Sequence, residues 1–300
     1  ISAKQCYEMA EIRARWMTDV MLYVYLTFQP NLLLTAQTII AECARPFLLV
    51  DERQEGYTPE QAAQYAPYLQ KAHKVADENL GRLLELVNLA DSAVLVLSTH
   101  SLMPVHTTVR LNTILKNAGL LQLKTIGGRD EVDERKSKAL AFASGSSTHI
   151  YINLQDRQQS GLVAPDDFEK VQKQIIQALE ETKDQDGQPV FARILRHDEY
   201  KPLHLESPNS GDVFVQAASG YSLSDELGFK KVLAAALERA AGGFDATLPE
   251  MHAIFIAAGD NLLSGKTIPP VFIVDVAPTI AKALRLKLPD TLDGHAIEDI

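Results

Sequence analysis

Few side chains in this 300-residue chain combine reactivity with a favourable place, and the first to do so is His100, in Ser98-Thr99-His100. The apolar run at 93–97 reads as a strand, which sets these three residues just beyond its carboxyl end, where open parallel sheets gather their ligands. An imidazole there can ligate a metal or take a proton, and the hydroxyl of Thr99 beside it raises the question of an activated nucleophile. Adjacent residues of an extended strand point to opposite faces, so the two make a poor pair. A lone histidine at a strand end is more often hydrogen-bonded structure than a ligand. His106 follows Pro104 and Val105 and precedes an expected helix, a place for a cap or a packing group. Asp245, Glu250 and Asp275 lie in turn or helix-start surroundings, with the Asp275 carboxylate placed to accept orphan amide hydrogens. Cys6 and Cys43 are the only cysteines and have neither metal-ligand spacing nor the makings of a disulfide framework. Gly127-Gly128 and Gly242-Gly243 are too short to cradle a phosphate.

The elements that must hold these residues follow from periodicity. Apolar β-branched runs alternate with helix-period segments, which predicts an α/β layer fold with a mostly parallel sheet. Thr58, Pro59 and Glu60 supply the N-cap, first-position proline and first-turn acid of a helix continuing over 62–89, with Pro67 kinking it near its start. Strand 93–97 is apolar throughout, as expected of a central strand covered on both faces. Residues 107–118 read as the next helix, stopped by Gly119, and 129–138 as a solvated loop. The rhythm then changes: strands at 149–153, 190–195 and 212–216 surround a helix at 165–183 that ends before an Asp186-Gly187 turn. This suggests a smaller inserted α+β subdomain. A strand at 251–257 returns to the main sheet and 274–286 forms the last helix.

Composition excludes several functions. With 39 acidic against 29 basic side chains the net charge is -10, which repels nucleic-acid backbones and anionic lipid, and no basic patch offsets it; no nucleic-acid partner is expected. The most apolar early stretch, 17–40, is interrupted by Asp19, Gln29, Pro30, Asn31 and Gln37, so no membrane span is predicted. The chain opens on Ile1 rather than Met and carries no signal-peptide pattern, which suggests a processed or trimmed start.

Three ordered segments carry a resemblance: Val94-Leu-Val-Leu-Ser-Thr-His-Ser-Leu-Met-Pro-Val-His106, Gly243-Phe-Asp-Ala-Thr-Leu-Pro-Glu-Met-His-Ala-Ile-Phe255 and Val274-Asp-Val-Ala-Pro-Thr-Ile280. Together they resemble the type I phosphodiesterase/nucleotide pyrophosphatase branch of the alkaline phosphatase superfamily, over nearly the whole chain. The resemblance implies a three-layer α/β/α sandwich, with a core at 1–123 and 236–300 that is incomplete at its amino terminus, and an inserted cap-like subdomain at 124–235. It also implies a pair of divalent ions, usually zinc, that polarise a phosphoryl group and activate a Thr or Ser nucleophile. Each ion needs about three protein ligands.

Residue by residue, the resemblance finds those ligands substituted. The family's strand-end Asp-His pair becomes Thr99-His100, keeping the imidazole and losing the carboxylate. The histidine of its Gly-x-His-Gly turn falls on Gly242. The run at 32–40 resembles the strand before the family's Asp-x-x-x-His pair, which falls on Ala41 and Arg45, and a guanidinium in place of a ligand repels a cation. No match to the nucleophile segment precedes Ile1. The expected site is thus a vestigial cleft of Ala41, Arg45, Thr99, His100 and Gly242, with no catalytic residue, no cofactor, and His100 as the lone ligand of any residual metal site. Asp245, Glu250 and Asp275 read as structure within the same resemblance. The function expected is that of a pseudoenzyme docking with a protein partner or larger assembly. The alternatives are a zinc-dependent or other divalent-metal phosphodiesterase whose nucleophile segment lies outside this chain, and an anion or nucleotide binder using Arg45 and His100. Because members of the family often work outside the cytoplasm, a periplasmic or extracellular location is the expectation.

Overall fold

The computed structural model describes residues 1–260, 262–289 and 291–298. Its first elements are α1 (Ala3–Phe28), α2 (Ile39–Phe47), α3 (Pro59–Leu84), β1 (Ala93–Leu97), β2 (Met103–Arg110) and α4 (Leu111–Asn117). There follow β3 (Leu123–Ile126), β4 (Arg129–Val132), β5 (Ala139–Ser144), β6 (Ser147–Ile152), α5 (Phe168–Glu180) and β7 (Phe191–Arg196). The chain continues with β8 (Val213–Ala217), β9 (Gly220–Ser224), β10 (Leu233–Ala235), β11 (Ala240–Ala241), β12 (Phe255–Gly259) and α6 (Val276–Ala283). They form two compact units, one of Ile1–Cys43, Tyr68–Ser101 and His252–Ile300, the other of Ala44–Pro67 and Leu102–Met251. Among the described residues no helix is long and apolar enough to cross a membrane.

In the first unit α1 starts at a capping box, with Ser2 and Gln5 exchanging side-chain and backbone hydrogen bonds. Its buried residues, Tyr7, Ala10, Ala14, Thr18 and Met21, recur at three- and four-residue steps and so share one face. Side chains of α3 meet that helix: Tyr68 stacks at a tilt on Tyr7, Arg82 binds Asp19 at 2.6 Å and Glu78 binds Arg15 at 3.0 Å. The buried Asn79 reaches toward the Ala14 carbonyl and the Gln37 carboxamide, both at 3.4 Å. Strands β1 and β12 form a two-stranded antiparallel ribbon, in register from Ala93 opposite Gly259 to Leu97 opposite Phe255.

The second unit holds a large apolar core. A four-stranded antiparallel sheet in the order β5-β6-β8-β7 contributes Ile150, Ile152, Val213 and Val215, and α5 adds Val171, Ile175 and Leu179 at helical spacing. Strand β2 is paired along both edges, parallel to β9 and antiparallel to β10 and β11, which buries Val105, His106 and Val109. Behind it α4 buries Leu111, Ile114 and Leu115. Each such side chain removed from water contributes about 1.5–3 kcal/mol. The outer edge of β5 is closed by side chains: Asn112 of α4 accepts from Ala141 N at 3.0 Å and donates to Ala141 O at 3.1 Å, while Asp225 accepts from Ala143 N at 3.2 Å.

The α/β class expected from the sequence is present, and the strands at 149–153, 190–195 and 212–216 and the helix at 165–183 appear with shifts of a few residues as β6, β7, β8 and α5. The pairing direction differs: β2–β9 is the single parallel pair described between strands. An apolar run fixes burial, not the direction of the neighbour, and β1 with one partner is only half-covered. Residues 107–110 belong to β2 rather than to a helix, since Val105, Thr107, Thr108 and Val109 are β-branched residues that suit a pleated ladder. The run at 32–38 forms no strand. The segment 129–138 is not all loop: β4 pairs with β3 across Gly127 and Gly128, whose φ values of +58° and +80° are those of a tight hairpin turn. The last strand begins at Phe255, four residues later than expected, because Pro249–Met251 forms a 3-10 turn.

Candidate functional site

At the end of β1, Ser98 prolongs the ribbon by one step: its amide donates to Ile254 O at 3.1 Å and its hydroxyl accepts from Ile254 N at 3.1 Å. The chain then bends, leaving Thr99 and His100 exposed. His100 Nδ1 lies 2.7 Å from the Ser101 carbonyl, so Nδ1 carries the hydrogen and Nε2 is the nitrogen left facing solvent. Ala41, half-buried in α2, offers only a methyl group. These three positions belong to the first unit.

Arg45 and Gly242 belong to the second. The Arg45 guanidinium binds Glu238 at 2.6 Å, with both side chains about half exposed. Such a pair contributes little to stability and gives the guanidinium a carboxylate that any other anion must displace. Gly242 lies in a tight crossing: its carbonyl accepts from Ser146 N at 2.9 Å, and a Cβ on Gly145 would fall 2.6 Å from that oxygen.

A two-metal centre asks for about six donors. The five positions supply one imidazole, one neutral hydroxyl, a methyl, a hydrogen and a guanidinium. Among the described residues no group of three or more His, Cys, Asp or Glu side chains stands close enough to hold an ion. The residues present do not fit a zinc pair.

A polar cluster in the second unit escaped the sequence reading. Gln54, 3% exposed, accepts from the amides of Val50 and Asp51 through Oε1, and its Nε2 lies 2.9–3.1 Å from the carbonyls of Leu48, Val105 and Arg239. Beside it Arg53 grips Asp51 with two hydrogen bonds of 2.6 and 3.0 Å, which hold that carboxyl down at about 2. Tyr221 donates to Asp184 at 2.7 Å, and burial together with that carboxylate pushes its phenol up to about 12. His106, expected to cap or pack before a helix, instead lies within β2, edge-on to Tyr221 with ring centroids 5.0 Å apart. Burial, helped by the Arg53 charge, lowers its pKa. Its Nδ1 meets the Thr107 hydroxyl at 2.9 Å, but its buried Nε2 has no partner and faces Gly220, where a Cβ would come within 2.4 Å. A base needs a nucleophile within reach of its free nitrogen, and here Nε2 is buried against Gly220 with no hydroxyl or thiol bonded to it. The cluster is built for packing. The only sequence signal that pointed to it was His106 itself.

The expected structural carboxylates behave unequally. Asp245 pairs with Arg193 and accepts from Thr247 N at 3.0 Å, shaping the turn as expected. Asp275 makes no side-chain hydrogen bond to the amides of α6; it accepts instead from Phe272 N and His295 N, both at 3.0 Å.

Comparison with known proteins now bears on this geometry. No curated protein sequence matches the chain. Among solved structures it is similar to phosphonoacetate hydrolase from Sinorhizobium meliloti, at 14% identity and TM-score 0.51, over 88% of this chain and 53% of that one. It is also similar to murine ectonucleotide pyrophosphatase/phosphodiesterase 5, at 14% identity and TM-score 0.48, over 79% of this chain and 52% of that one. The first likeness shows the fold alone, an α/β fold shared with that hydrolase. The chain spans about half the length of the solved structures it matches. A model of the type I phosphodiesterase / nucleotide pyrophosphatase family, a family of phosphoric ester hydrolases usually dependent on metal, matches residues 47–239. That match takes in more than half of the chain, which therefore belongs to the type I phosphodiesterase / nucleotide pyrophosphatase family.

Proposed function

We propose that this chain is a catalytically degenerate phosphodiesterase-like scaffold, a pseudoenzyme that acts as a structural or interaction subunit. One observation carries the reading: where the sequence resemblance sets the family's ligands this chain has Ala41, Arg45, Thr99 and Gly242, and of those positions only the one at His100 keeps an imidazole. Charge decides the matter physically. Two dications about 4 Å apart repel strongly in a poorly solvated cleft, and only several carboxylates and imidazoles offset that repulsion. Residues 124–235, which contain the whole β5-β6-β8-β7 sheet, fit the proposed cap-like insertion.

A second reading is favoured by the half-length coverage of the solved structure: a divalent-metal phosphodiesterase whose amino-terminal nucleophile segment lies outside these 300 residues and whose ligands are rearranged. Two measurements separate the readings. Zinc analysis of the purified chain after dialysis is expected to give well under one equivalent, and bis(p-nitrophenyl) phosphate turnover with added zinc is expected to equal that of His100→Ala. Near two equivalents of bound zinc, or turnover that the substitution abolishes, would overturn the scaffold reading.

A further inference from the structure

Helix α1 is apolar on two sides. Its inner stripe is the buried Tyr7, Ala10, Ala14, Thr18 and Met21 already described. A second stripe at the same three- and four-residue steps, Met9, Ile12, Trp16, Val20 and Tyr23, faces water, with exposures of 53, 69, 60, 38 and 63%. Leu26 prolongs it at 58%. The solvent face of a helix on a soluble domain is normally polar. At roughly 150–250 Å² per large side chain, these exposures leave on the order of 650 Å² of surface, most of it apolar. That is at the upper edge of the ~300–600 Å² patch of a typical monomer and within the range of about 600–1,000 Å² that each partner gives to a specific interface.

The stripe complements itself. Trp16 lies midway in sequence between Met9 and Tyr23, and near the middle it is flanked by Ile12 and Val20 and by Arg13 and Asp19, each pair equally spaced about it. Laid antiparallel on a second copy, Met9 therefore meets the partner's Tyr23, Ile12 meets the partner's Val20, and the two Trp16 rings meet on the two-fold axis. Arg13, Met9, Ile12 and Trp16 line a shallow concavity of about 330 Å³, open to receive an aromatic ring. Within one chain Arg13 binds Glu42 at 2.8 Å and Asp19 binds Arg82 at 2.6 Å, so the charges at the two margins of the contact already have opposite partners. Isologous contacts of this kind close on themselves and stop at two copies.

We infer that the outer face of α1 is a homodimer interface, formed by antiparallel packing of two copies about Trp16. The inference is independent of the ligand-loss reading: a monomer would leave that reading intact, and a zinc-loaded enzyme would leave this one intact. Trp16 is the sole tryptophan, so it reports on its own burial. Sedimentation equilibrium of the 300-residue chain is expected to show a monomer–dimer equilibrium, with tryptophan emission shifting to shorter wavelength as concentration rises. Trp16→Glu and, separately, Ile12→Lys are expected to weaken association at least 100-fold while helicity by circular dichroism is kept; the second variant retains the tryptophan and its emission should stay red at all concentrations. A chain that is monomeric throughout, one that binds lipid vesicles without dimerising, or a dimer that survives both substitutions would overturn the inference.

Discussion

At the scale of single residues, His106 shows how a side chain of catalytic type becomes structure. Its ring is 7% exposed, its Nε2 has no acceptor, and Gly220 closes over it. A second proton has nowhere favourable to go, so burial, then the Arg53 charge, holds its folded pKa below the ordinary value, with Asp51 and Asp184 opposing and the un-ionised Tyr221 phenol and the Thr107 hydroxyl completing its surroundings. His149 is lowered likewise, by burial and by His197. The sign follows from linkage: above about pH 6.5 both states are neutral and stability is full, whereas below it the unfolded chain takes up protons that the folded chain resists. The lowered Asp51, Asp184 and Asp245 act in a more acid window, below about pH 4, and do not interfere. The urea midpoint should therefore fall between about pH 7.5 and 5.5, and His106→Gln should flatten part of that fall. An unchanged slope in the variant would show that the imidazole is hydrated in solution.

At the scale of elements, α4 does more than cover a sheet. Its second residue, Asn112, is 3% exposed and stands in for a strand residue along β5, exchanging both backbone hydrogen bonds with Ala141 and donating to Asp225 O at 2.7 Å. The device seals an edge that would otherwise present free amides and carbonyls to other chains. Asn112→Ala removes three hydrogen bonds and leaves the Ala141 amide and carbonyl buried without partners. The expected cost is about 2–4 kcal/mol by chemical denaturation. Asn112→Asp should recover little, because its carboxylate would face the Ala141 and Asp225 carbonyls. A variant that loses less than about 1 kcal/mol would mean that water replaces the carboxamide.

At the scale of the whole molecule, each unit has its own pattern of protection. In the second unit Ile150, Ile152, Ile175, Leu179, Val213 and Val215 are wholly buried, in strands paired on both sides or in the helix packed against them. In the first, β1 and β12 pair only with each other among the described residues, and Leu97 and Ile256 are 36 and 58% exposed. Amide hydrogen exchange should accordingly be slowest in β6, β8 and α5 and faster by about 100-fold or more in β1 and β12, because local opening is easiest where few apolar contacts hold a strand. Equal protection in the ribbon would reveal a cover over its faces in solution.

What the sequence determined by itself was chemical and local. The identities at 41, 45, 99 and 242 leave those four positions without a carboxylate or an imidazole, since a methyl, a guanidinium, a hydroxyl and a hydrogen are what their side chains offer. The start of α3 at Thr58-Pro59 and the turns at Gly119 and Gly187 were legible for the same reason, since they rest on neighbouring atoms. Tertiary structure alone decided the direction of strand pairing, the conversion of 107–110 into a strand gripped on both edges, and the burial of His106 and Asn112. It also decided that α1 has one apolar stripe inside and another facing water. Those outcomes depend on partners distant in sequence, and periodicity records that a face is apolar without recording what meets it.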